Sequence, residues 1–93
     1  MRNKKKKPWA DARRDSTLKY LYGITLEDYT RMLDDQHGVC AICSQPNVRG
    51  WRLSVDHNHE TGEVRALLCN PCNFALAQYE KYPEEFLGYI EDH

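Results

Sequence analysis

The 93-residue sequence has no long apolar run, no internal repeat and almost no net charge. A membrane-spanning helix needs about 20 consecutive apolar residues, so the first absence argues against a transmembrane segment. The chain also lacks an apolar export segment, because residues 2–7 are polar and mostly basic. We therefore expect an intracellular protein that is not secreted and has no membrane partner.

The net charge of -1 hides a separation of charge along the chain. Residues 1–19 carry eight Lys or Arg and two Asp, whereas residues 80–93 carry five acidic residues and one Lys. The basic end is suited to contact with nucleic acid phosphates, although a solvated tail would have the same composition. Residues 1–8 are expected to form a basic mobile arm. The candidate DNA-binding residues at this end are Lys4, Lys5, Lys6, Lys7, Arg13 and Arg14.

Four cysteines form two Cys-x2-Cys pairs with 25 residues between them: Cys40 with Cys43, and Cys69 with Cys72. This spacing is typical of a four-thiolate zinc site, because each pair can direct both sulfurs at one tetrahedral ion. Disulfides are the alternative in small secreted domains, and a four-cysteine iron centre is another. A chain without an export segment favours zinc. Such an ion would also compensate for the small core of a short chain.

The length of the chain and the periodicity of its apolar residues predict a single α+β domain over residues 9–93, with its core at 38–80. Gly62 supplies the residue that a tight return between two strands needs, and Pro71 suits the first turn of a helix. A short helix is expected to begin at Pro83 and to bury Phe86, Leu87 and Ile90. The other predicted elements are helices at 9–22, 26–36 and 70–80 and an antiparallel hairpin of strands 52–57 and 63–68.

A cluster of polar side chains at residues 56–60 lies between the two cysteine pairs, and Asn73 directly follows the second pair. Asp56 and Asn73 offer the oxygen ligands that magnesium or manganese accepts, and the imidazole of His57 can take a proton near neutral pH. Phosphodiester hydrolysis needs these functions, namely a base for water and a cation for the developing charge. In an ideal strand Asp56 and His57 point to opposite faces, so we expect the strand to end or bulge there.

Four motifs in this order resemble the phage recombination endonuclease VII branch of the HNH nuclease superfamily. The resemblance implies a ββα-metal fold with a structural zinc at the four cysteines. It also implies DNA cleavage with Mg²⁺ or Mn²⁺ held by Asp56 and Asn73, with His57 as general base and His59 as a helper at the phosphate. The motifs are GITLEDY at 23–29, GVCAIC at 38–43, VDHNHETG at 55–62 and VRALLCNPCN at 64–73.

Two further residues have two interpretations each, and a third has one. Trp51 could stack on a base, but a large aromatic residue in a small protein is more often part of the core. Arg65 is a candidate DNA-binding residue that could instead pair with Glu63 or Asp56. Asn58 is expected to shape the loop between the strands.

The predicted function is hydrolysis of DNA by a metal-dependent endonuclease in phage DNA processing, packaging or recombination. Nicking and double-strand cutting are both compatible with the sequence. The expected partners are DNA, a second copy of the chain in a homodimer, or phage packaging and recombination proteins, in the host cytoplasm. The alternative is a non-catalytic zinc module that binds nucleic acid or a nuclease partner.

Overall fold

The structure is a computed structural model and describes residues 8–93. Within these residues, four helices and a two-stranded antiparallel sheet form an α+β fold, which confirms the predicted class. A single 3₁₀ turn at Val48–Gly50 precedes the sheet. The helices are α1 (Pro8–Tyr22), α2 (Leu26–Asp35), α3 (Asn70–Lys81) and α4 (Pro83–Asp92), and the strands are β1 (Ser54–His57) and β2 (Val64–Leu68).

The junction between α1 and α2 is fixed by local capping. The Thr25 hydroxyl accepts a hydrogen bond from the Asp28 N–H at 2.9 Å, and the Asp28 carboxylate accepts one from the Thr25 N–H at 3.0 Å. This reciprocal pair satisfies two N–H groups that a helix start leaves unbonded. Asp15 on α1 also accepts a 2.7 Å hydrogen bond from the N–H of Leu26. The two helices are therefore linked at the start of α2.

The loop of the β1–β2 hairpin is organised by Asn58. Its Oδ1 accepts hydrogen bonds from the N–H groups of Glu60 and Thr61 at 2.8 and 3.0 Å, and its carbonyl accepts one from Gly62 at 2.7 Å. Gly62 has a φ of 79°, a conformation that disfavours residues with a side chain. The loop-shaping role predicted for Asn58 is confirmed.

The predicted bulge lies between Asp56 and His57. Asp56 pairs with Ala66 and His57 pairs with Val64, so the register skips Arg65 on β2. An extra residue on one strand increases the local twist and changes the direction of nearby side chains. This irregularity gives Asp56 and His57 access to one site.

The hydrophobic core joins the hairpin to α1, α2 and the cysteines. The Tyr29 hydroxyl donates a 2.6 Å hydrogen bond to the Leu53 carbonyl, which links α2 to the chain before β1. A further link comes from Gln36, whose amide exchanges two 2.9 Å hydrogen bonds with the backbone of Leu67. The buried apolar residues are Leu18, Tyr29, Cys40, Leu53, Val55, Leu67, Leu68 and Cys69.

Some predictions of burial are wrong. Phe86, Leu87 and Ile90 on α4 are 43%, 48% and 67% exposed. Apolar spacing identifies one face of a helix, but burial also needs another element to cover that face. Trp51, for which the core interpretation was favoured, is 52% exposed.

Two predictions depend on residues at the start of the chain. The basic arm at 1–8 and its lysines Lys4 to Lys7 lie outside the described residues, except for Pro8, which begins α1. The assignment of residues 9–93 to one domain stays a prediction. None of the helices within residues 8–93 combines the length and the apolar character that crossing a bilayer would require.

Candidate metal centre and active site

The four cysteines form one cluster. Cys40 and Cys43 lie in the loop after α2, Cys69 precedes α3, and Cys72 lies in the first turn of α3. Their four Sγ atoms are all within 4.8 Å of one another, and those of Cys43 and Cys69 are 3.8 Å apart. The sequence prediction that these residues come together is confirmed.

The first cysteine pair lies in a tight turn that is attached to the sheet. The Cys40 N–H donates to the Gln45 carbonyl at 2.9 Å, and the Ser44 N–H donates back to the Cys40 carbonyl at 3.0 Å. The N–H of Ala41 donates to the Leu67 carbonyl of β2 at 3.1 Å. The turn therefore brings Cys40 and Cys43 to the end of the strand that leads into Cys69.

Backbone donors prepare Cys40 for a metal. Burial raises the pKa of this thiol, but hydrogen bonds from the N–H groups of Cys43, Cys69 and Ile42 outweigh that effect and lower the pKa to about 6. The opposite holds at Cys72, where hydrogen bonding to Cys69 and then burial raise the pKa to about 12. Only a bound cation would favour thiolates at all four positions.

The donor set and its spacing fit zinc. A tetrahedral zinc with Zn–S distances of about 2.3 Å separates its sulfurs by about 3.8 Å. The Cys43 and Cys69 sulfurs are at this separation. Zinc would be held by Cys40, Cys43, Cys69 and Cys72, and it would fix the start of α3 against the first cysteine turn.

A second site lies between the hairpin and α3. It is a cleft of about 360 Å³ whose lining includes all four predicted catalytic residues. Asp56 and His57 reach it from β1 and its bulge, His59 from the loop, and Asn73 from the first turn of α3. The Asn73 N–H donates to the Cys69 carbonyl at 2.9 Å, so its position in the helix depends directly on the cysteine cluster.

Asp56 is buried, with 7% of the residue exposed, and its carboxylate pairs with Arg65. The Arg65 Nη1 in turn contacts the Glu80 carboxylate on α3 at 2.9 Å. These two carboxylates, Asp56 first, raise the pKa of Arg65 above its ordinary value. The predicted pairing of Arg65 with Asp56 is confirmed, whereas Glu80 takes the place that was considered for Glu63. The DNA-binding role of Arg65 stays a prediction.

The two histidines lie side by side at the cleft. The ring centroids of His57 and His59 are 4.6 Å apart, and the ring of Tyr22 at the end of α1 is 5.6 Å from that of His57. The ring of His57 is therefore packed between a histidine from the loop and a tyrosine from α1. The sequence did not identify Tyr22 as part of this site.

Asn47 is another residue that the sequence interpretation missed. Its side chain is buried, its Oδ1 accepts hydrogen bonds from the N–H groups of Val48 and Asn70 at 2.8 Å each, and its Nδ2 donates to the Arg52 carbonyl at 2.8 Å. Asn70 Oδ1 also accepts a 3.0 Å hydrogen bond from the Ser54 hydroxyl. Asn47 also donates a 3.3 Å hydrogen bond from Nδ2 to Asn70 Oδ1. The sequence gave no indication of this role, because both hydrogen bonds between Asn47 and Asn70 span 23 residues.

Comparison with known proteins agrees with this architecture. The chain is 54% identical over 52 residues to the Gene 59 protein of Mycobacterium phage D29 and 52% identical over 52 residues to that of Mycobacterium phage L5. Each match covers 56% of this chain and 32% of the relative, so the chain spans about a third of the length of these curated relatives. The family described as recombination endonuclease VII matches residues 15–92, which include the cysteine cluster and the cleft. The chain therefore belongs to the recombination endonuclease VII family.

Proposed function

We propose that the chain is an HNH-type endonuclease that hydrolyses phosphodiester bonds in DNA. The observation that supports this most strongly is that Asp56, His57, His59 and Asn73 line one cleft beside the cysteine cluster. Family membership supports a nuclease role independently of that geometry. Nicking and double-strand cutting remain alternative outcomes of the same chemistry.

In the proposed reaction, a water molecule attacks phosphorus and the bond from phosphorus to the 3′-oxygen breaks. His57 accepts the proton of the attacking water. His59 donates a hydrogen bond to a phosphate oxygen, because its ring lies next to that of His57. The products are a 5′-phosphate and a 3′-hydroxyl, and the latter takes its proton from solvent. This step forms no covalent intermediate with the protein.

Asp56 and Asn73 would hold a hydrated Mg²⁺ or Mn²⁺, whose charge stabilises the leaving oxygen when the ion is bound. A carboxylate and an amide oxygen are ligand types that these ions accept while they keep several waters. The cleft volume of about 360 Å³ suits this, since a water molecule takes about 30 Å³. Arg65 orients the carboxylate of Asp56 for this purpose.

DNA is the proposed substrate, and its backbone is contacted by the basic side of the molecule. Arg13 and Arg14 on α1 line a depression that also contains Tyr22, which borders the cleft. Lys4 to Lys7 belong to the same basic end of the sequence. We assign phosphate contacts to all of these residues and to Arg65.

A homodimer, or a complex with phage packaging or recombination proteins, is proposed as the assembled form. Exposed apolar side chains on α4 support an additional interface. Tyr89 and Ile90 are 66% and 67% exposed, and Phe86 lies 6.3 Å from the ring of Tyr79 on α3. An intracellular location stays a prediction.

The test is cleavage of supercoiled plasmid by the zinc-loaded protein with Mg²⁺ or Mn²⁺. Removing a general base typically costs a factor of about 10² to 10⁴, so His57→Ala should nick far more slowly than the unaltered protein. Asn73→Ala and Asp56→Asn should require more divalent ion for the same rate. His37→Asn is the matched control, because His37 is exposed in the turn after α2 and asparagine tolerates its φ of 58°.

Equal nicking by His57→Ala and the unaltered protein would overturn the assignment of the base. Retention of DNA without any cleavage, and with weak dependence on divalent ions, would instead support the non-catalytic zinc module. Linear, nicked and four-way DNA in parallel reactions would identify the preferred substrate.

A further inference from the structure

Two arginines, Arg14 and Arg52, lie close together on the α1 side of the cleft. Arg14 stacks on the ring of Tyr29, with its guanidinium carbon 4.6 Å from the ring centroid. Its pKa is lowered by burial and then by the positive charge of nearby Arg52, although Tyr29 and Asp11 act in the opposite direction. Neither Arg14 nor Arg52 forms an ion pair with a carboxylate of residues 8–93. Two mutually repelling cations are therefore held together at this surface.

An exposed aromatic side chain lies beside these arginines. Trp51 is 52% exposed, and the guanidinium of Arg49 lies 5.4 Å from the centroid of its ring. Apart from Arg49, no ring or cation of the described residues stacks on this indole. The exposed Trp51 is thus available for a ligand with a flat face.

The loop that carries Trp51 is held in a defined conformation. Asn47 binds both ends of the segment, because its side chain contacts the Val48 N–H and the Arg52 carbonyl, each at 2.8 Å. The same side chain accepts a hydrogen bond from the N–H of Asn70 at the start of α3. Trp51 and Arg52 are therefore positioned relative to the helix that carries Asn73.

The surface is continuous with the candidate active site. Tyr22 lines both the cleft and a neighbouring depression of about 480 Å³ that contains Arg14 and Arg52. These two arginines also line a third depression, of about 490 Å³, which includes Trp51. A path thus runs from His57 past Tyr22 and the arginine pair to Trp51.

We propose that this path binds a single-stranded DNA segment that continues from the phosphate in the cleft, with an unpaired base stacked on Trp51. Arg14 and Arg52 contact its phosphates, since paired cations attract the backbone of a nucleic acid. An aromatic side chain beside a basic groove favours unpaired bases, because the face of a base inside a duplex is already covered by its neighbours. The inference rests on the proposed nuclease function and makes a junction of single and double strand the preferred substrate.

The test measures binding of the full zinc-loaded chain without Mg²⁺ or Mn²⁺, by fluorescence anisotropy. The probes are a 20-nucleotide single strand, a blunt duplex of the same sequence, and that duplex with a single-stranded extension. The variants are Trp51→Ala, Trp51→Phe and Arg52→Ala. Arg31→Ala is the charge control, because Arg31 is an exposed arginine on α2 that pairs with Asp28 and lies outside the path. Circular dichroism and zinc content verify that each variant is folded.

We expect Trp51→Ala to weaken binding of the single strand and of the extended duplex about tenfold, with less than a twofold effect on the blunt duplex. Trp51→Phe should restore most of that affinity, since phenylalanine can still stack. Arg52→Ala should reduce the slope of log affinity against log salt by about 0.7 on the single strand, whereas Arg31→Ala should not.

Equal losses by Trp51→Ala on all three probes, or no loss on any, would overturn the proposal. Plasmid nicking that depends on His57 would then still support the nuclease function. Conversely, Trp51→Ala could lose single-strand binding selectively while the unaltered protein cuts no DNA. That result would support the proposed binding path and refute the nuclease function.

Discussion

Arg65 holds both carboxylate oxygens of Asp56. Its Nε donates to Oδ2 at 2.7 Å and its Nη2 donates to Oδ1 at 3.0 Å, so the planar guanidinium fixes the plane of the carboxylate. The same guanidinium contacts Glu80 on α3. The orientation of Asp56 on β1 therefore depends on the helix that carries Asn73, the other proposed ligand of the catalytic ion.

Replacement of Arg65 should weaken activation by the divalent ion. In Arg65→Ala the nearly buried Asp56 loses the partner that orients it, and loss of a group that orients a metal ligand typically costs a factor of about 10 to 100 in affinity or activity. Arg65→Lys should give an intermediate loss, because an ammonium keeps the charge without the two-pronged geometry. The measurement is the nicking rate as a function of Mg²⁺ concentration.

Arg31→Ala is the control variant. Arg31 also pairs with a carboxylate, but its partner Asp28 belongs to the cap of α2 and not to the candidate active site. Faster nicking by Arg65→Ala at low Mg²⁺ would mean that Arg65 competes with the ion for Asp56. If Arg65→Ala nicks at the same rate as the unaltered protein at every Mg²⁺ concentration, Arg65 has no role in the active site.

The parts of this fold that the sequence predicts are those set by local rules. The capping residues Thr25 and Asp28 identify the start of α2, and the spacing of Cys69 and Cys72 identifies the turn that begins α3. Even the bulge at Asp56 and His57 is predictable, because the chemistry assigned to both residues requires them to reach one site. Each of these depends on residues a few positions apart.

What the sequence does not predict depends on contacts between distant segments. The Arg65–Glu80 contact spans 15 residues, and no local pattern selects Glu80 over Glu63 as the partner. Likewise, the spacing of Phe86 and Ile90 identifies an apolar face on α4 but not whether another element covers it. Asn47 fixes the loop that carries the exposed Trp51, and its hydrogen bond from the Asn70 N–H spans 23 residues, so no local pattern predicts it.

Zinc binding should strengthen as pH rises. Zinc binds thiolates, so every proton on the cluster opposes it. At pH 7 Cys40, with a pKa of about 6, is largely ionised, whereas Cys72, with a pKa raised to about 12, keeps its proton and must release it on binding. Affinity should therefore increase from pH 7 to 9 and fall more steeply below pH 6, where Cys40 is protonated too.

Competition with a chromophoric chelator at several pH values measures this dependence, and a weakly buffered titration counts the protons released. Cys72→Ser should release about one proton fewer than the unaltered chain, since a serine hydroxyl does not ionise in this range. A constant affinity between pH 6 and 9 would contradict the four-thiolate site.

Removal of zinc should unfold the domain. Two of the eight buried apolar residues within 8–93 are the proposed zinc ligands Cys40 and Cys69, so the cluster forms part of a small core. Binding energies of structural zinc are about 10–16 kcal/mol in small modules, comparable with the whole stability of a typical domain. A zinc-selective chelator under reducing conditions should abolish most of the helical circular dichroism. Zinc should restore the signal and Mg²⁺ should not, and a helical signal that survives chelation would refute a zinc-dependent fold.

Asn47→Ala should destabilise the protein by about 2–4 kcal/mol, because it leaves the N–H groups of Val48 and Asn70 and the Arg52 carbonyl without their partner. Asn47→Asp keeps both accepted hydrogen bonds but loses the donor, so its loss should be smaller. Thr30→Ala is the control for stability, since its hydroxyl makes an exposed hydrogen bond within α2. Urea denaturation of the zinc-loaded protein measures these differences. Asn47→Ala should also weaken binding of single-stranded DNA, because Asn47 positions the segment that carries Trp51. A variant that is less stable but binds DNA as well as the unaltered protein would show that Asn47 acts on stability alone.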